Sequence, residues 1–207
     1  MPDWVLVDWL IAALTAFGTI AVLELPDKTF VATLVLSTRY RALAVWLGVV
    51  SAFALHTLLA VAAGSVVALL PDTPVRLVAA GLFAVGAVIM LRTARRADAE
   101  EREQEQEYAS KVTGARQGLA AYGASFLLLA TAEWGDLSQL FTAGLVARGE
   151  PPVAVFVGAF AALAAVSGAA VLLGRWLLRR VRLSIVRYVA AGVCALLAVA
   201  TVWSALS

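Results

Sequence analysis

The chain has 207 residues, 62% of them hydrophobic, with a mean hydropathy of +0.91 and a formal net charge of +2. A soluble domain is closer to half apolar, so the composition excludes a water-soluble globular domain and implies an integral membrane protein with no room for a separate soluble unit. The single cysteine, Cys194, excludes an intrachain disulfide and reads as a small packing residue.

No Lys or Arg precedes Lys28. A signal peptide needs a basic start, so the first apolar run is expected to be retained as a helix. A spanning helix takes roughly 20 apolar residues, and six such segments are expected, over 5–37, 41–69, 75–94, 118–147, 152–177 and 184–206. Pro71, Asp72 and Pro74 part the second from the third, and Pro151 and Pro152 open the fifth. Arg175, Arg179, Arg180 and Arg182 part the fifth from the sixth. The linker 97–117 carries six acids among Gln and Arg and reads as a solvated helix or a tether, its acids more readily explained by solvation than by metal capture.

The first and fourth segments exceed what a bilayer requires, and each holds an acidic motif. Glu24-Leu25-Pro26-Asp27-Lys28-Thr29 and Glu133-Trp134-Gly135-Asp136-Leu137-Ser138 share the pattern Glu-x-(Pro/Gly)-Asp-x-(Thr/Ser). Pro26 removes a backbone donor and Gly135 weakens a helix, so each segment is expected to bend or break there. An offset of 109 to 111 also aligns Gly64 with Gly174, Arg76 with Arg187 and Gly81 with Gly192. Three segments per half is an odd number, which would insert the second half upside down. The expected fold is an all-α membrane protein of six transmembrane helices in two inverted three-helix repeats, residues 1–96 and 118–207, joined by the linker 97–117.

Charge placement agrees with six segments. Numbering the loops alternately puts 13 of the 16 basic residues on one side, Arg76 and Arg148 on the other, and Lys28 in a motif. The basic side should be cytoplasmic. Both termini are then extracytoplasmic and the linker cytoplasmic.

Carboxylates at membrane depth are costly and mark functional sites by default. Glu24 and Asp27, three apart, can share a helix face, as can Glu133, Asp136 and Gln139. With the hydroxyls of Thr29 and Ser138 and carbonyls freed at the breaks they form an all-oxygen set suited to hard divalent ions such as calcium, manganese or magnesium. Four carboxylates and Lys28 sum to −3. A site so negative and dry should take up protons when empty and lose them to a divalent ion, the basis of antiport. The structural alternatives are a Glu24–Lys28 ion pair and an Asp27 or Asp136 helix cap; repetition of the whole motif argues against them.

His56, the only histidine, could relay protons or simply pack as a neutral hydrogen-bonded ring. Trp4, Trp9, Trp46, Trp176 and Trp203 read as interfacial anchors, whereas Trp134 would wall the site or fill space beside Gly135. Gly158 and Gly168 suit close helix packing. No His-Glu-x-x-His site, phosphate loop or nucleophile elbow is present, which leaves no enzyme chemistry to assign.

ELPDKTF and EWGDLSQ resemble the duplicated Glu-x-Gly-Asp-(Lys/Arg)-(Ser/Thr) signature of the GDT-type calcium/manganese cation–proton exchangers, in a bacterial form. The resemblance spans essentially the whole chain. It implies that Glu24, Asp27, Glu133 and Asp136 bind the metal, with Thr29, Ser138, Gln139 and Lys28 in support. Pro26 departs from the first glycine of the signature and Leu137 from its second basic residue, and both departures bear on ion preference. The expected function is secondary exchange of Mn2+ or Ca2+ for protons, exporting the cation from the cytosol across the plasma membrane, with no cofactor and no nucleic-acid partner; homo-oligomers are compatible with it. An exporter of another small solute and a non-transporting membrane scaffold are the alternatives.

Overall fold

The computed structural model describes residues 3–24, 28–111, 118–180 and 183–206. All regular structure among the described residues is helical: α1 (Asp3–Glu24), α2 (Lys28–Arg39), α3 (Ala42–Val67), α4 (Asp72–Thr93), α5 (Ala97–Lys111), α6 (Leu119–Ala132), α7 (Leu137–Ala147), α8 (Pro152–Arg180) and α9 (Leu183–Leu206). A short 3₁₀ turn, Ala94–Arg96, joins α4 to α5. Pro71 and Pro152 sit where a proline costs a helix nothing, just before α4 and at the first position of α8.

Among the described residues five helices are long and apolar enough to cross a membrane: Val5–Glu24, Ala42–Val67, Thr73–Arg96, Pro152–Leu172 and Arg187–Leu206. The sixth expected segment, 118–147, is two shorter helices, α6 and α7. The interruption falls at Gly135, whose φ of +76° is a left-handed conformation that costs glycine nothing and breaks the helical ladder. In the first expected segment α1 and α2 are described, and the expected bend at Pro26 falls on Leu25, Pro26 and Asp27, outside the described residues.

Helix packing is reciprocal between the two halves. α1 lies on α8 and α6 on α3; α2 lies on α8 and α7 on α3; α4 pairs with α9, and α3 meets α8. The closest approaches obey the same exchange. A Cβ built on Gly48 of α3 would come within 2.5 Å of the Tyr122 carbonyl oxygen and 3.0 Å of Ser125 Cβ on α6. One built on Gly158 of α8 would run into the Ala13 carbonyl and come within 3.0 Å of Ala16 Cβ on α1. Arg76 at the start of α4 donates to the Ser204 carbonyl near the end of α9 (2.9 Å), and Arg187 near the start of α9 donates to the Thr93 carbonyl at the end of α4 (3.2 Å). An offset of 111 carries Arg76 onto Arg187 and Thr93 onto Ser204.

The outer faces are apolar: Leu14 is 68% exposed, Leu172 80% and Leu196 72%. Exposed apolar surface this extensive marks contact with another apolar phase. The linker is more ordered than a tether. α5 packs on α2 and α9, buries Tyr108 in the main core, and ties Glu100 to the largely buried Arg187 at 2.6 Å. Replacing Arg187 by Ala would leave Glu100 unpartnered by it and open one end of the α4–α9 pair. The expected result is faster proteolysis within 97–117, with Arg76→Ala, at the other end, leaving that segment as resistant as before.

The tryptophans divide. Trp46 Nε1 donates to the Ala164 carbonyl at 3.1 Å, so it joins α3 to α8 and is not an interfacial anchor. Trp9 packs against Ala12, Ala13 and Ala154. Trp203 is 77% exposed, as an anchor requires, and the side chains of Trp4 and Trp176 lie outside the described residues.

Candidate functional site

Glu24 is the last described residue of α1, and Glu133 follows the last residue of α6 at the helix interruption; each is only 2% exposed. Thr29 in the first turn of α2 is 1% exposed and Ser138 in the first turn of α7 is 7% exposed. One turn further on, Thr33 and Thr142 are buried too. The two broken segments touch each other, α1 meeting α7 and α2 meeting α6.

The second-half break is held by one side chain. Gln139 Nε2 donates to the Glu133 carbonyl at 2.5 Å, while its Oε1 accepts the Gly135 N–H at 3.3 Å. This amide spans the interruption and occupies the polar groups that Gly135 releases from the helix. Gln139, expected as an oxygen ligand, therefore acts as a backbone clasp in this structure. Asp136 is half-buried at the N-cap of α7 and makes no side-chain cap hydrogen bond, so capping does not account for it. Asp27 and the Lys28 side chain lie outside the described residues.

A small cavity of about 10 Å³ lies beside Glu133, bounded by Phe53, His56, Thr57, Ser138, Gln139, Thr142 and Leu163. That is room for one water-sized body. Thr57 is 2% exposed, and its hydroxyl has no hydrogen-bond partner among the described residues; the hydroxyls of Thr29 and Thr33 share this condition. His56, also 2% exposed, has Nε2 at 3.2 Å from the Ala130 carbonyl. Its ring meets Trp134 edge-on at 5.9 Å, and Asp136 is near enough to act on it through charge. Trp134 itself is 68% exposed, so it covers the histidine from outside and does not wall the cavity. Among the described residues no group of three or more His, Cys, Asp or Glu side chains forms a metal cage. The cavity is instead one carboxylate, one imidazole and a set of hydroxyls.

Thr33, Thr57 and Thr142 were not evident as site residues from motif reading. The repeat offset would have found them: 109 carries Thr29 and Thr33 onto Ser138 and Thr142, and 110 carries Thr57 onto Ser167, all six buried. A second, larger recess is unrelated to this chemistry. It is an outward-facing groove of about 680 Å³ between α4 and α9, whose lining residues, among them Leu77, Val199 and Leu206, include no charged group.

Apolar helices with a lipid-suited exterior, and motif glutamates buried within them, define a multi-pass membrane protein with a polar site in its interior. The sequence profile of the family described as divalent cation/proton antiporter GDT1 matches residues 12–98 and again 121–207. The chain is 34% identical over 146 residues to a GDT1-like protein of Synechocystis sp. (strain ATCC 27184 / PCC 6803 / Kazusa), an alignment covering 65% of this chain and 71% of that relative. No solved structure matches. The chain belongs to the GDT1 family of divalent cation/proton antiporters. It is a transporter and not an enzyme, and divalent cations and protons are the species its family moves.

Proposed function

We propose that the chain exports Mn2+ or Ca2+ from the cytosol across the plasma membrane in exchange for protons, using Glu24, Asp27, Glu133 and Asp136 as the cation's ligands. The observation that carries this reading is the burial of Glu24 and Glu133, the first acid of each motif, each followed five residues on by a buried hydroxyl. Contact between the two broken segments supports a shared site, as does the family match falling once on each half. Thr29 and Ser138 add neutral oxygens, and Lys28 offsets part of the negative charge.

The same reading makes α6 and α7 one interrupted crossing. Their 14 and 11 residues reach about 38 Å at 1.5 Å per residue, against ~30 Å of hydrocarbon. Six crossings and two inverted repeats of three follow, with both termini extracytoplasmic and the linker cytoplasmic. The reciprocal packing of α1 and α2 on α8 with that of α6 and α7 on α3, and the pairing of α4 with α9, support that arrangement.

Antiport follows from competition for the same oxygens. A carboxyl must be deprotonated to ligate a metal, and burial disfavours the charged form until a cation arrives. Protons and metal therefore exclude each other. The test is uptake by purified protein in liposomes, comparing Mn2+, Ca2+ and Mg2+ with and without an imposed pH gradient. Counterflow of Mn2+ or Ca2+ that reverses with the gradient is expected; uptake indifferent to it would remove the exchange. Binding should show the same sign, with metal affinity falling as pH drops from 8 to 5. A flat profile over that range would separate the cation from the protons.

A further inference from the structure

The two halves are alike in their acids and hydroxyls but not in what surrounds them. An offset of 109 carries Gln139 onto Phe30, and one of 110 carries His56 onto Val166. Beside the first motif, Phe30 of α2 forms a buried apolar cluster with Val166 and Ala170 of α8. In the second half the corresponding space is the polar cavity beside Glu133, bounded by His56, Thr57 and Ser138. The bilayer does not require this difference, since both places are buried.

The imidazole is held in one tautomer. A carbonyl can only accept, so the 3.2 Å contact with the Ala130 oxygen places the proton on Nε2. In the neutral ring Nδ1 then carries the lone pair. A histidine that binds metal characteristically donates its other N–H to a backbone carbonyl or a carboxylate, which fixes the ring and raises its basicity. The Thr57 hydroxyl beside it, buried and without a hydrogen-bond partner among the described residues, is a second polar group that this cavity leaves unsatisfied.

We infer that His56 is a ligand and specificity-determining residue of the transported cation: its Nδ1 adds one nitrogen, beside Glu133, to the carboxylate and hydroxyl oxygens of the shared site, and the mixed set favours a first-row transition-metal ion over calcium or magnesium. This rests on the reading that the cation binds beside Glu133. Calcium and magnesium are hard ions that take oxygen ligands, whereas imidazole is a ligand for first-row transition ions, among which manganese is the hardest and gains least from it. The inference gives His56 a bond to the metal in place of a proton-relay role. It also assigns the asymmetry a purpose: one half supplies the nitrogen, and its mirror image, closed by Phe30 and Val166, supplies none.

The test uses purified full-length protein in nanodiscs. Mn2+ bound to the wild type should show spin-echo modulation from a directly coordinated nitrogen, and H56V, which copies the mirror residue, should lose it. Titration should find Mn2+ affinity reduced about tenfold or more in H56V, with Ca2+ affinity changed less than about twofold. Absence of nitrogen modulation in the wild type overturns the inference, and that measurement needs no variant to fold. Modulation that survives H56V overturns it as well, as does an equal loss of both ions. E133Q separates this from the underlying reading. If E133Q no longer binds either ion while the wild type lacks the nitrogen signal, only the role of His56 falls; if E133Q binds both ions normally, the cavity is not the cation site and both fall.

Discussion

Replacing Glu133 by Gln is expected to abolish coupled cation exchange while leaving the protein folded, and Glu24→Gln should do the same. Both glutamates are 2% exposed, and glutamine conserves their volume and shape. What changes is charge. Burying a neutral amide is easier than burying a carboxylate, so the empty variant should melt no lower than the wild type. A divalent ion loses an anionic ligand in a dry site, where truncating one partner of a buried charge pair costs about 2–5 kcal/mol, or about 30- to 4,000-fold in affinity. Two measurements separate chemistry from folding. Transport in proteoliposomes should disappear. Added Mn2+ or Ca2+ should raise the melting temperature of the wild type, since a ligand at 100 times its Kd stabilises by about 2.7 kcal/mol, and should leave the variants unmoved. Unimpaired exchange by both variants would remove the proposed site.

Gly158→Ala should damage the scaffold as severely as the glutamate changes damage transport. The added methyl would meet the Ala13 carbonyl on α1, and backbone cannot swing aside as a side chain can. Overpacking of this kind costs about 1–3 kcal/mol or more, and here it separates α8 from the helix that ends at Glu24. Gly48→Ala meets the Tyr122 carbonyl in the mirror position and should loosen α6, which ends beside Glu133. Gly81→Ala is the control: nothing lies within 4 Å of a Cβ there, and alanine is the better helix former by about 1 kcal/mol. Thermal unfolding in detergent should therefore rank Gly81→Ala at or above wild type and both interface variants well below it. Equal melting temperatures for all three would show that the reciprocal contacts do not hold the bundle together.

The contrast between Gly158 and Gly81 also shows why sequence reading stops where it does. Both are glycines in apolar helices, one picked out by the repeat offset and the other by small-residue spacing. Only the partner helix decides which one touches backbone. Trp46 makes the same point. Its place near a segment end reads as a membrane anchor, yet its indole N–H is spent on the Ala164 carbonyl. The amide of Gln139 reads as a metal ligand from its spacing, yet it closes the break at Gly135. In each case local pattern identified a polar or small group that must have a partner, and a residue distant in the chain or across a turn determined which partner it has.

The chain's apolar content, its acidic motifs, their repetition at a fixed offset and the interruption at Gly135 were all present in the residue order, because hydropathy, glycine backbone freedom and charge are properties of residues and their near neighbours. Tertiary structure alone decided that α5 docks through Tyr108 and Glu100, that threonines a turn beyond each motif are buried with it, and that the polar cavity opens in one half while Phe30 and Val166 fill its counterpart. Those outcomes depend on which faces of α3 and α8 meet the broken helices, a matter of packing between segments about a hundred residues apart that no local pattern encodes.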